Sequence, residues 1–243
     1  MKIEKFDLIR LEMPLVRPFR TSFGVEYSRD VLLLKVTTDV GIGWGECVSG
    51  RDPLYSPEYV DGTIDVLKRY LIPRVFQPGE VFAEDVASLL GPIRGYPMAK
   101  SVIESALLDA QLRAAGVSWA EHFGATRTLV PSGVSVGIPA DDAMATLVEE
   151  VVSYVEAGYV RIKLKIQPGW DIEPTREIRR LFPDIPLQVD ANQAYTRESI
   201  EHLAQLDEFN LLLIEQPLRE EDILGHAQMA TRIKTPEIGR AHV

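Results

Sequence analysis

Cysteine is nearly absent from this chain. A single residue, Cys47, stands among 243, which excludes an intrachain disulfide framework and a zinc site built from several thiolates. Histidine is scarce too, and His122, His202, His226 and His242 are scattered without the spacing of paired ligands. No apolar run is long enough to cross a bilayer. The opening MKIEKFDLIRLEMPL is charged throughout and lacks the apolar stretch of a signal peptide. Positive charge is concentrated nowhere: 26 Lys and Arg face 36 Asp and Glu, a formal charge of −10. Nucleic acid and anionic membranes are therefore poor partners. These absences lead to the expectation of a cytoplasmic protein that acts on a small molecule. What the chain does have is 46% hydrophobic residues, ample for a large core in one or two domains.

Two rhythms divide the sequence. In the first half, KIEKFDLIRLEMPL and DVLLLKVTTDVGIGWGECV read as strands, the second broken by a turn between Thr38 and Gly43. RPFRTSFGVEYS, between them, reads as an irregular connection. SPEYVDGTIDVLKRYLIPRV reads as a helix with Ser56 as N-cap and Pro57 at its first position. MAKSVIESALLDAQLRAAG reads as a second helix, closed by Gly116. From about residue 130 apolar strands alternate with amphipathic helices: SGVSVGI, VRIKLKI, IPLQVDAN and FNLLLIEQP each precede a helical segment. That alternation marks a parallel sheet covered by helices. The fold class expected is α/β: an α+β capping domain over 1–127, then the first four βα units of a TIM-type barrel over 128–236.

Within VRIKLKI, Lys163 and Lys165 share one face of the strand. On a wet face they would be ordinary solvated charges, but a sheet of this kind has no wet face to receive them. Lys165, Asp190 and Glu215 follow at 25-residue intervals, each at the end of its strand. In a barrel these ends converge on the rim where active sites lie. A structural ion-pair network is the alternative for such a cluster. The chemical reading starts from repulsion between the two carboxylates, which a hard cation such as Mg²⁺ relieves by taking oxygen from both. A lysine beside that cation has a lowered pKa and can act as a base. The pairing suits removal of the proton α to a carboxylate, and enolase-type enzymes are the general example of it.

MPLVRPFRTSFG, GWGECV, PLYSPEY, GVSVGI, YVRIKLKIQPGWD, LQVDANQAYT and LLLIEQPLREEDILGHA occur in this order from residue 1 to about 236. Together they resemble the enolase superfamily, in its muconate-lactonizing branch and its o-succinylbenzoate synthase / N-acylamino acid racemase family. The resemblance implies Lys165 as catalytic base, Lys163 as its charged companion, and Asp190 and Glu215 as ligands of Mg²⁺. Ser135 matches a position lining the substrate pocket, or is a small packing residue. Asn192 orients ligands, or is a strand-end turn residue. Phe19, Thr21, Phe23 and Tyr55 match the cap over the substrate, with ordinary burial as the alternative for the aromatic ones. Cys47 and Trp44 read as structural. The implied activity is dehydration to o-succinylbenzoate, a menaquinone-pathway step, or racemisation of an N-succinyl- or N-acylamino acid. Muconate cycloisomerase and dipeptide epimerase use the same constellation, and a non-catalytic barrel fragment is the reading from another class. The resemblance also implies a small carboxylate substrate and a homo-oligomer at full length.

The pattern then departs from the family. The 25-residue interval points to residue 240 for a third acidic ligand, and Arg240 stands there. EIGRAHV, residues 237–243, offers neither an apolar strand nor the family's later lysine. It reads as an off-family tail on a C-terminally truncated chain, expected to have no synthase or racemase activity by itself.

Overall fold

A computed structural model describes residues 1–21 and 24–239. These fall into two compact units, Met1–Val16 with Tyr27–Thr128, and Arg17–Glu26 with the chain from Leu129 onward.

The first unit holds most of a three-stranded sheet, β1 (Ile3–Thr21), β2 (Gly24–Thr38) and β3 (Gly41–Cys47), in that order, with residues 17–21 and 24–26 of its strands grouped in the second unit. β2 and β3 pair antiparallel from Leu32↔Cys47 to Thr38↔Gly41, across the expected turn. The helix Pro97–Ala115 lies on β3 and ends at Gly116, which has φ 66°. Gly43 and Gly45 permit that approach. A Cβ on Gly43 would sit 2.0 Å from the Ala106 carbonyl oxygen, and one on Gly45 2.2 Å from that of Val102. Trp44, between them, donates its backbone N–H to Asp109 Oδ2 at 2.9 Å. Leu32, Leu34, Ile103 and Leu107 are among the buried side chains of this core.

Two expectations fail here. RPFRTSFGVEYS is not an irregular connection, because β1 runs to Thr21 and β2 starts at Gly24. The helix expected at Ser56 starts at Val60. The residues before it are held elsewhere: Tyr59 bridges Gly50, where the Val60 N–H reaches the Gly50 carbonyl at 2.9 Å. Buried Glu58 accepts the backbone N–H groups of Met98 and Ala99, at 2.9 and 3.0 Å. That carboxylate serves the N-terminus of Pro97–Ala115, whose N-cap residue Tyr96 supplies no side-chain bond.

The second unit carries a parallel sheet, β4 (Gly133–Val136), β5 (Arg161–Lys165), β6 (Leu187–Asp190), β7 (Ile214–Glu215) and β8 (Glu237–Ile238), in sequence order. The helices Met144–Glu156, Ile172–Leu181 and Ile223–Ala230 follow β4, β5 and β7. The segment after β6 is shorter-turned, a four-residue α-helix flanked by 3₁₀ turns over Arg197–Phe209. Ile162 and Leu164 of β5 pack with Leu147, Val151 and Ile178 of the helices in one buried core.

β8 corrects the expectation of a strandless tail. Ile214 donates its N–H to the Pro236 carbonyl at 2.9 Å, and Gln216 to that of Ile238 at 2.8 Å. This pairing uses backbone groups alone, so it needs no apolar strand. It also corrects the extrapolated interval: the residue opposite Glu215 is Ile238. Arg240 lies outside the described residues.

Candidate functional site

Four side chains meet at the C-terminal ends of three strands. Register sets Lys165 opposite Asp190 and Asp190 opposite Glu215, so equal βα units bring residues 25 apart to one level. Since Ile162 and Leu164 face the helices, Lys163 and Lys165 leave the opposite face.

Lys163 Nζ lies 2.9 Å from Glu215 Oε2 and 3.2 Å from Asp190 Oδ2. Lys165 Nζ donates to Asp190 Oδ2 at 2.5 Å and to Asn192 Oδ1 at 2.7 Å. Asn192 returns its backbone N–H to Asp190 Oδ1 at 3.0 Å. Asp190 is 1% exposed and Lys165 8%.

Burial separates the two amines. For Lys165 desolvation is the largest influence and Lys163 adds repulsion, so its pKa falls below the ordinary lysine value despite Asp190. Lys163 is also pushed down by desolvation. Its hydrogen bond to Glu215 and the charges of Asp190 and Glu215 outweigh that, and its pKa rises.

The strand ends turn sharply. Asn192 and Gln193 have φ of 45° and 66°, and Gln216 has 40°. Gln193 N–H bonds the Gln216 carbonyl at 2.8 Å, tying the two turns together.

The other expected residues fall in several places. Ser135 lies opposite Lys163 in the β4–β5 register. Phe19 is grouped with this unit, and its ring centroid is 6.0 Å from Lys165 Nζ, the outer limit of a cation–π contact. Thr21 is buried, with its hydroxyl 3.4 Å from the Gly24 carbonyl. Phe23 lies outside the described residues. Tyr55 belongs to the first unit and is 38% exposed.

Residues not anticipated also contribute. Arg20 bonds Asp142 Oδ1 at 2.9 Å and the Pro139 carbonyl at 3.2 Å, and so holds the Phe19 segment beside the end of β4. Asp171 Oδ2 accepts from the Tyr195 hydroxyl and meets His202 Nε2, both at 2.8 Å. Gln188 stands opposite Lys163. Its signal was available, since Gln188, Asp190 and Asn192 alternate as Lys163 and Lys165 do.

Asp190 and Glu215 already share one cation, the Lys163 ammonium, and hard oxygens on adjacent strands suit a divalent ion in that place. Among the described residues no group of three or more His, Cys, Asp or Glu is placed to hold a metal. Among the described residues such an ion would have Asp190 and Glu215 as its carboxylates and would need other oxygens besides.

A parallel β/α sheet of partial-barrel form, with lysines facing carboxylates at its strand ends and an antiparallel-strand domain before it, defines an α/β protein of the partial-barrel class. Residues 5–124 match the mandelate racemase / muconate lactonizing enzyme N-terminal domain, and residues 146–239 match the enolase C-terminal domain-like family. The chain belongs to the enolase superfamily. It is 53% identical over 237 residues to an N-succinylamino acid racemase of Amycolatopsis sp., covering 97% of this chain and 64% of that one. It is 39% identical over 238 residues to the o-succinylbenzoate synthase of Geobacillus kaustophilus, covering 97% and 63%. The crystal structure of an enolase superfamily member from Listeria innocua superposes with a TM-score of 0.92 at 36% identity, covering 98% of this chain and 64% of that one. The chain thus spans a little under two thirds of the length of these relatives. Among the described residues no helix is long and apolar enough to cross a membrane.

Proposed function

We propose that this site removes the proton α to a carboxylate, in the chemistry of o-succinylbenzoate synthase or of an N-succinylamino acid racemase. The observation that carries the reading is Lys165 itself. It is a buried amine with a depressed pKa, fixed by Asn192 and Asp190 at the end of β5. A lysine whose pKa is depressed gives up its proton more readily than an ordinary one and is then free to accept another.

Lys165 takes the α-proton and becomes an ammonium, and the electron pair left on carbon spreads into the adjacent carboxylate. Asn192 holds the amine in place through both forms. Lys163 adds a second positive charge that helps to lower the pKa of Lys165 and favours negative charge developing nearby. Asp190 and Glu215 would hold Mg²⁺, which when bound supplies further positive charge for the substrate carboxylate. Ser135, opposite Lys163, and Phe19, 6.0 Å from Lys165 Nζ, are assigned with Thr21 to the substrate space beside the lysines. The sequence identities, 53% to the racemase and 39% to the synthase, favour these reactions over muconate cycloisomerisation or dipeptide epimerisation. A small carboxylate substrate, a cytoplasmic setting and a homo-oligomeric full-length enzyme complete the reading.

Among the described residues both lysines stand on one strand, so a base is offered to one side of a substrate. The activity expected of these 243 residues is α-proton exchange of a single enantiomer, without net racemisation or synthase turnover. The test is deuterium incorporation into each enantiomer of an N-succinylamino acid in D₂O with Mg²⁺, followed by NMR. One enantiomer should exchange, and Lys165→Ala should remove that exchange. Exchange that survives Lys165→Ala, or none by the parent chain, would leave the cluster as a structural ion-pair network.

A further inference from the structure

Two buried oxygen atoms near the lysine pair have no hydrogen-bond partner among the described residues, Ser135 Oγ and Gln188 Oε1. Both share a rung with Lys163: Ser135 lies opposite it on β4, and Gln188 lies opposite it on β6. Their three side chains leave one face of the sheet from adjacent strands. Gln188 is 6% exposed, so water does not readily serve its amide. Unpaired buried acceptors are rare in folded proteins and ask for an explanation.

The donor on that rung is directed elsewhere. Lys163 Nζ reaches up to Glu215 Oε2 and Asp190 Oδ2. These are the carboxylates assigned to the metal, and a divalent ion taking their oxygens would repel the ammonium between them. The two lysines differ in what remains to them. Lys165 keeps a neutral acceptor, Asn192 Oδ1 at 2.7 Å. Lys163 is held by carboxylates alone, while two idle neutral acceptors flank it.

We infer that Lys163 is a metal-responsive arm: it bridges Asp190 and Glu215 in this structure, and turns to Gln188 Oε1 and Ser135 Oγ when a divalent cation takes those carboxylates. The inference rests on the metal assignment proposed above. Gln188 is then a positioning residue. It receives the displaced charge within the site, so that metal entry does not cost the site its second cation.

The experiment uses the 243-residue chain with ¹³C,¹⁵N-labelled lysine, titrated with Mg²⁺ by NMR and by calorimetry. Contacts between the Lys163 ε-methylene and the Gln188 γ-methylene should appear with Mg²⁺ and be absent without it. Gln188→Leu should weaken Mg²⁺ binding about tenfold, the scale of one hydrogen bond to a charged group. In a Lys163→Met background the same substitution should change nothing. This double-mutant cycle excludes a general packing effect, which would appear in both backgrounds. Ser135→Ala serves as the second variant should Gln188→Leu not fold, with a smaller loss of the same kind. Mg²⁺ binding with no new Lys163–Gln188 contact, or an equal loss in both backgrounds, overturns the arm and leaves the metal assignment standing. No Mg²⁺ binding at millimolar concentration removes both.

Discussion

Lys165 Nζ lies 2.7 Å from Asn192 Oδ1, and Asn192 holds a left-handed backbone with φ 45°. One residue thus serves as an acceptor for the amine and as the sharp end of β6. Asparagine tolerates that conformation better than most side chains, and glycine better still. Asn192→Gly should therefore be more stable than Asn192→Ala by about 1 kcal/mol. Both lose the acceptor, so both should lose α-proton exchange to a similar degree. Thermal denaturation and deuterium exchange on the two variants separate the roles. Exchange that follows stability would show that Asn192 matters to the backbone alone.

A second network lies away from the lysines. Asp171, 5% exposed, takes the Tyr195 hydroxyl and His202 Nε2 on one oxygen, and caps the helix Ile172–Leu181 through the Ile172 N–H on the other. Asp171→Ala leaves the buried Tyr195 hydroxyl and the helix N-terminus without that partner, and should cost about 2–4 kcal/mol. Tyr195→Phe removes a donor while Asp171 keeps its other partners, and should cost about 1 kcal/mol. In the double variant the losses should fall short of additivity, as measured by urea denaturation.

How much of this was legible in the sequence differs by element. Lys165, Asp190 and Glu215 could be placed at one level because successive parallel strands pair in register, so equal spacing in sequence becomes adjacency in space. β8 was not legible, because its hydrogen bonds run through backbone groups and carry no side-chain pattern. The delayed helix start at Val60 was hidden for a different reason. Glu58 is committed to Met98 and Ala99, 40 and 41 residues away, and no local propensity reports such a bond. Gln188 is intermediate: its alternation with Asp190 was visible, but the lack of a partner for its Oε1 belongs to the folded structure.

Acid should expose one further pair. Asp222 accepts the Arg197 guanidinium and the Gly225 N–H, and the Arg197 bond is the largest cause of a pKa held down to about 2. A carboxylate with a depressed folded pKa stabilises above its unfolded value, here the ordinary aspartate 3.8, and loses that contribution as pH falls through about 2. Wild type should therefore melt above Asp222→Asn at pH 5, and the gap should close between about pH 4 and pH 2. A gap constant across that range would mean that the carboxylate charge is not what stabilises.

Asp190→Asn is the substitution that separates function from fold least cleanly. Read as a metal ligand alone, Asp190 should be replaceable by its amide without structural cost. In the folded chain it accepts Lys165 Nζ, Lys163 Nζ and the Asn192 N–H while its side chain is 1% exposed. The amide keeps the shape but removes the charge that balances two ammonium groups, one of them buried. Breaking a buried pair from one side costs about 3–5 kcal/mol, most of it the penalty of the charge left behind. The metal-free variant should lose a large part of that, moderated by Glu215, which still holds Lys163 at 2.9 Å. Removing the stranded charge should recover stability, so Asp190→Asn with Lys165→Met should unfold at a higher urea concentration than Asp190→Asn alone. If the double variant is instead less stable than either single one, the lysine contributes through packing of its stem, and charge balance is not what joins β5 to β6.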